Sequence, residues 1–181
     1  MYGVVSLLDE THAGLIRGIW AELQDHCGLS GIRITPIPHF SWQIAEAYDR
    51  PRLEKALREI AREADPLKVT TTGLGLFTGA NPVLYIPLVK DAEMVAFHAS
   101  LWKAVAPYSI NPSSFYAPHT WVPHITLAHG DTNARNLQCA IQRLAFGNHR
   151  WEFSVDNLAL IGQSNGEIGE EKFRVRFKEG S

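Results

Sequence analysis

The spacing of apolar positions changes several times along the chain. Tyr2-Gly-Val-Val-Ser-Leu-Leu8 is a short apolar run that predicts a strand. From about His12 to Cys27, Leu15, Ile16, Ile19, Trp20 and Leu23 recur at helical spacing; Asp9 and Thr11 offer N-caps, and Gly28 is placed to end the helix. Gly31 to Tyr48 has an extended pattern. Pro36 and Pro38 punctuate its first part, and His39 to Ala45 reads as continuous strand. Asp49 and Pro51 mark the entry of a second helix running to about Ala64, with Leu53, Leu57 and Ile60 on one side and Arg and Glu on the other. Leu67 to Phe77 and Val83 to Val89 predict two strands joined by the turn residues Thr78 to Pro82. Asp91 starts a third helix that ends by Pro107. Ser109 to Val122, with Pro112 and Pro118 and no clear period, predicts a loop. Pro123 to His129 reads as a short strand, and Thr132 caps a fourth helix from about Ala134 to Phe146, closed by Gly147. Trp151 to Ile161 and Phe173 to Phe177 complete the pattern as strands around a Gly-rich turn.

The sum is an α+β pattern of interleaved strands and helices. No linker is rich enough to split it, so the 181 residues are expected to form a single domain, 1–181. A domain of this size buries roughly 70% of the surface of its unfolded chain, enough for a core without covalent staples. Cys27 and Cys139 lie in helical patterns and read as small buried hydrophobes rather than a disulfide framework or a zinc site. The first apolar run lacks a basic leader and stops at Asp9 and Glu10, and no stretch approaches the roughly 18 apolar residues of a membrane span. These features give the expectation of a cytoplasmic protein away from membranes. A formal net charge of −2 argues against a protein that coats duplex DNA, while leaving room for a nucleotide or a nucleic-acid end in a pocket.

There is no tandem repeat, but there is one coarse echo. Pro38-His39-Phe40-Ser41-Trp42 and Pro123-His124-Ile125-Thr126-Leu127 both read Pro-His-x-Ser/Thr-x. On a strand, residues i and i+2 share a face, so each motif sets an imidazole beside a hydroxyl. The alternate residues Phe40, Trp42, Ile125 and Leu127 turn to the core. Two imidazoles across a cleft suit phosphate chemistry: a neutral one removes a proton from the attacking oxygen and a protonated one donates to the leaving oxygen. Histidine, with an unperturbed pKa of about 6.5, supplies both forms near neutrality. The hydroxyls can hold the non-bridging phosphate oxygens, where charge must be stabilised.

The paired motifs, and the Pro-His-Ile-Thr-Leu form of the second above all, resemble the two-histidine (2H) phosphoesterase superfamily in its 2′-5′ RNA ligase-like branch. Chain length, motif separation and element order fit as well, so the resemblance covers most of the chain. It implies a bilobal fold of two similar strand-helix lobes, mainly antiparallel, with one motif on each side of a central cleft. It implies hydrolysis of a 2′,3′-cyclic phosphate or a 2′,5′-phosphodiester, or joining of RNA ends, with no metal or other cofactor. Carried over by position, His39 and His124 are the catalytic pair and Ser41 and Thr126 hold the phosphate. The expected partner is a small nucleotide or an RNA 3′ end, bound by a monomer. The motifs do not tell acid from base, and the roles reverse with reaction direction; for cyclic phosphate hydrolysis His124 is taken as base toward water and His39 as acid toward the leaving oxygen. One departure matters: where many RNA-processing relatives carry Arg, this chain has His129, which removes a bidentate, permanently charged phosphate ligand. A nucleotide or RNA-end binding module without useful catalysis is the alternative.

The remaining candidates read more plainly. His119, His124 and His129 are spaced by five, and odd spacing on a regular strand sends His124 and His129 to opposite faces, away from a shared metal. His12, His26, His98 and His149 read as surface or helix-flank residues. Phe115, Tyr116 and Trp121 could stack on a base or pack their loop onto the domain. The Arg, Lys and Glu residues between Arg50 and Glu63 read as a solvated helix face. Arg174, Arg176 and Lys178 share a face of the last strand and could lend positive potential to the cleft.

Overall fold

A computed structural model describes residues 1–162 and 168–178. Its strands are β1 (Tyr2–Leu7), β2 (His39–Tyr48), β3 (Leu67–Thr70), β4 (Gly75–Phe77), β5 (Val83–Pro87), β6 (Ser109–Pro112), β7 (His124–Ala128), β8 (Glu152–Val155), β9 (Asn157–Gly162) and β10 (Glu170–Arg176). Its helices are α1 (Glu10–Cys27), α2 (Arg50–Glu63), α3 (Ala92–Val105) and α4 (Ala134–Leu144). The fold is α+β, and every described strand pairing is antiparallel. One sheet runs β10-β9-β1-β2-β6, a second β4-β5-β7, and β3 pairs with β8.

Local chemistry explains the helix ends. The carboxylates of Asp9, Asp49 and Asp91 accept from backbone N–H groups in the first turns of α1, α2 and α3, satisfying donors that the helix itself leaves open. Gly28 ends α1 in the left-handed region at φ 71°, where it returns N–H bonds to the last turn. The cap of α4 is Asn133, in a reciprocal box with Asn136, rather than Thr132. Thr132 instead donates its hydroxyl to the Pro82 carbonyl, a tertiary partner that the local sequence does not show.

The helices do not pack on the strands next to them in sequence. α1, which links β1 to β2, packs against β7 and α4; α3, which links β5 to β7, packs against β2 and α2. Each half of the chain therefore sends a helix to back the other half's motif strand. Apolar faces of both layers meet in one continuous core that includes Ile16, Trp20, Phe40, Trp42, Leu101, Trp121 and Ile125.

Several expectations change. Leu67 to Phe77 is two strands in different sheets, because Gly73 takes φ 118° and the Thr71 hydroxyl, donating to the His149 carbonyl, ties that point to the β8 side. The segment after Pro107 is not all loop: β6 adds to the edge of β2 and Ser114–Tyr116 makes a 3-10 turn. Gly31–Ile34 is a 3-10 turn within the extended segment. His98 and His149 are buried, not at the surface. His98 stacks on Trp121 with ring centroids 3.8 Å apart, and its Nε2 lies 3.0 Å from the Trp42 carbonyl; burial pushes its pKa down to about 4. The Gly-rich turn expected between the last two strands falls on residues 163–167, outside the described residues. Among the described residues no helix is long and apolar enough to cross a membrane.

The cysteines also differ from expectation. Cys27 at the end of α1 and Cys139 in α4 form a disulfide, with Cα atoms 5.7 Å apart. Each looks like an ordinary helical residue in sequence; only the packing of α1 on α4 brings them together. The bond closes a loop with a sequence separation of 112. Removing it in a Cys27→Ser, Cys139→Ser chain is expected to lower stability by about 2–4 kcal/mol. Urea unfolding of the two proteins checks this, and equal midpoints would count against it.

Candidate functional site

The two motifs open their strands on facing sheets. On β2, His39 and Ser41 line a cleft of about 880 Å³ while Phe40 and Trp42 are fully buried behind it. On β7, His124 and Thr126 line the same cleft, with Ile125 and Leu127 behind. The structure thus brings together all four residues singled out in the sequence.

Both strands carry a β-bulge at the same place in the motif. Val5 pairs with Ser41 and Val4 with Gln43, which leaves Trp42 as the extra residue. Tyr85 pairs with Thr126 and Leu84 with Ala128, which leaves Leu127 extra. An extra residue resets strand parity. Trp42 and Gln43 both turn inward, as do Leu127 and Ala128. The next residues, Ile44 and His129, then return to the cleft. The expectation that His124 and His129 diverge is corrected by this bulge. His119 is not part of the cleft lining.

The imidazoles are oriented alike. His39 Nδ1 lies 2.6 Å from the Ile37 carbonyl, and His124 Nδ1 lies 2.7 Å from the Val122 carbonyl. A carbonyl oxygen can only accept, so Nδ1 carries the proton in both rings. In the neutral tautomer each Nε2 then presents a lone pair, and in the charged form a donor. Phe77 meets the His124 ring edge-on at 4.9 Å, and Tyr85 packs against it at 5.1 Å. Burial lowers the pKa of both histidines, opposed by the carbonyl bonds. His39 is lowered further by repulsion from a charged His124.

Two tryptophans hold the motif strands from behind. Trp121 donates its indole N–H to the Ser41 carbonyl at 2.9 Å, and Trp20 of α1 donates to the Thr126 carbonyl at 3.0 Å. The hydroxyl-bearing residue of each motif therefore receives one indole N–H. Sequence reading placed Trp20 only in a helical stripe and left Trp121 open between packing and stacking. The signal available was that a buried indole needs an acceptor. With 1% of its surface exposed, Trp121 belongs to the core, whereas Phe115, 79% exposed on the cleft wall, keeps a free face.

The opposite wall is pinned by Asp131, whose Oδ2 accepts from the Ser30 and Gly31 backbone N–H groups at 2.7 and 2.8 Å. Gly31 is required there, since a Cβ would fall 2.1 Å from the His129 carbonyl oxygen. No lysine or arginine side chain lines the cleft among the described residues. Arg174, Arg176 and Lys178 are engaged elsewhere, with Glu171, Asp156 and Asp65. On α2, Arg50 and Lys55 pair with Glu54 and Glu59, as a solvated helix face should. Among the described residues no group of three or more His, Cys, Asp or Glu side chains could hold a metal ion.

Residues 15–167, which include both motifs, match the model of the 2′-5′ RNA ligase superfamily. No curated protein sequence matches the chain. The fold is shared with solved structures, among them these two. A Thermus thermophilus protein, TT0787, superposes with a TM-score of 0.68 at 14% identity, covering 98% of this chain and 97% of the other. A phosphoesterase superposes with a TM-score of 0.57 at 15% identity, covering 98% of each chain.

Proposed function

Given that the chain belongs to the 2′-5′ RNA ligase superfamily, whose chemistry is phosphoester hydrolysis or ligation, we propose that it is a metal-independent phosphoesterase that opens a 2′,3′-cyclic phosphate or a 2′,5′-phosphodiester of RNA or a nucleotide. The observation that supports this most is the meeting in one cleft of two histidines, each with Nδ1 committed to a carbonyl and Nε2 left for substrate. In cyclic phosphate hydrolysis, a neutral imidazole takes a proton from water as its oxygen forms a bond to phosphorus. The imidazolium opposite gives its Nε2 proton to the ribose oxygen as that P–O bond breaks. The product is a phosphomonoester, and one proton has passed across the pair. The Ser41 and Thr126 hydroxyls donate to the non-bridging oxygens, where negative charge builds.

Mutual repulsion keeps the pair at a single proton in its working state. The two rings are oriented alike, each with Nδ1 on a carbonyl, so the shared proton can sit on either Nε2. In the hydrolytic direction His124 is assigned as base toward water and His39 as acid toward the leaving oxygen. Ligation would run the same transfers in the same sense, with a ribose 5′-hydroxyl in place of water as nucleophile on the cyclic phosphate.

The test is incubation with nucleoside 2′,3′-cyclic phosphates in excess chelator, with products identified by mass spectrometry. Gain of one water per substrate is expected. Saturable binding of the same nucleotides without turnover, across cyclic and 2′,5′-linked substrates, would instead favour the binding module. The cytoplasm remains the proposed location. Disulfides are rare there, so alkylation at lysis tests the location against the Cys27–Cys139 bond: reduced thiols support the cytoplasm, and an intact bond counts against it.

A further inference from the structure

The cleft holds less charge than its proposed chemistry would suggest. Among the described residues its lining has no lysine, arginine, aspartate or glutamate side chain; histidines and hydroxyls supply side-chain polarity toward a phosphate. Arg33 lies on the same turn as Ile32 and Ile34, yet only those two apolar neighbours line the cleft. Lys90 is engaged with the Trp121 carbonyl at 2.9 Å. Residues 163–167 and 179–181, outside the described residues, contain no lysine or arginine in the sequence. What the cleft has instead is exposed apolar surface: Ile34, Leu76, Phe115 and Val122 are all large side chains left open to solvent along its walls.

A single phosphate can be held by two imidazoles and two hydroxyls. A second or third phosphate of a nucleic-acid strand would meet no lysine or arginine side chain among the described lining residues, in a protein of net charge −2. An apolar ring or alkyl group, by contrast, would cover surface that is otherwise wet. Resting on the phosphoesterase reading above, we propose that the cleft selects a cyclic phosphodiester no larger than one nucleoside. Its one phosphate sits between the two motifs and its ring packs on Phe115. RNA strands ending in the same cyclic phosphate gain nothing from their further nucleotides.

The experiment compares kcat/KM for adenosine 2′,3′-cyclic phosphate with that for a short oligoribonucleotide carrying the same 3′ end, from about 50 to 200 mM salt. The mononucleotide is expected to be used at least as well as the oligonucleotide. For both, log kcat/KM should be nearly flat against log salt, because each Lys or Arg contact to a single strand would add a slope of about −0.7. Phe115→Ala should raise KM for the mononucleotide roughly tenfold, within the range for loss of one aromatic stack, and change kcat little. His129→Arg should raise oligonucleotide use relative to mononucleotide and bring in a salt slope. A wild-type protein that prefers the oligonucleotide tenfold or more, with activity falling steeply in salt, overturns this inference and leaves the phosphoesterase reading standing. No turnover of either substrate removes that reading, and this inference with it.

Discussion

Alanine at either His39 or His124 is expected to lower kcat on a nucleoside 2′,3′-cyclic phosphate by about 10² to 10⁴, the usual worth of one positioned proton transfer. The double variant should lose little more than the worse single one, because a base without its acid completes no turnover. KM should move much less than kcat, since Ser41 and Thr126 still face the phosphate. The same pair sets the pH dependence. Both pKa values are lowered from about 6.5 by burial, and His39 is lowered further by its charged neighbour. The working state has one proton on the pair. It is therefore populated below pH 6.5 and drains to the doubly neutral state as pH rises. A bell-shaped kcat/KM profile with its maximum on the acid side of pH 6.5 is expected for the free enzyme. The two limbs belong to the coupled pair, not to one residue each. Each single alanine variant should lose the bell together with the rate. Wild-type kcat in either variant would remove that histidine from the mechanism.

What could be read in the sequence follows from which forces are local. The alternation of Phe40 and Trp42 with His39 and Ser41, and of Ile125 and Leu127 with His124 and Thr126, is set by strand geometry and by which face is buried. That pattern holds over the motif in β7, and in β2 His39 and Ser41 line the cleft although Ser41 is itself buried. Helix caps are equally local, and Asp9, Asp49 and Asp91 were visible for that reason. The features that escaped depend on partners distant in the chain. A bulge is a mismatch between two strands, so neither the Trp42 nor the Leu127 segment shows it alone, and the return of His129 to the cleft was lost with it. His98 looks like a polar residue on a helix flank until Trp42 and Trp121 from two other elements enclose it. Cys27 and Cys139 became partners only through the exchange of helices between the two motif strands. The motif residues were legible, then, while the wall that decides what else fits beside them was not.

Trp121 connects that hidden packing to the site, and its replacement should have the largest effect on stability. The side chain stacks on His98 at 3.8 Å and on Trp42 at 5.2 Å, while its indole N–H holds the Ser41 carbonyl. Trp121→Ala is expected to cost about 3–5 kcal/mol from the cavity and the lost burial, and much of such a chain will be unfolded at ordinary temperature. The more telling variant is Trp121→Phe. It keeps an aromatic ring in the stack but removes the indole N–H that reaches the Ser41 carbonyl. The loss of this buried hydrogen bond costs about 1–3 kcal/mol, so this protein should fold with a lowered midpoint in urea. If the indole only fills space, kcat will equal wild type once the folded fraction is counted. If it positions the strand, kcat will fall while KM for the cyclic nucleotide stays within about twofold, because a small misplacement affects the transition state more than ground-state binding. Trp20→Phe gives an independent check on the other side of the cleft, since its N–H holds Thr126 in the same way from α1. A kcat loss in both variants, without loss of fold, would show that the two hydroxyls are placed by indoles of the core behind them. Unchanged kcat in both would leave the tryptophans as packing alone.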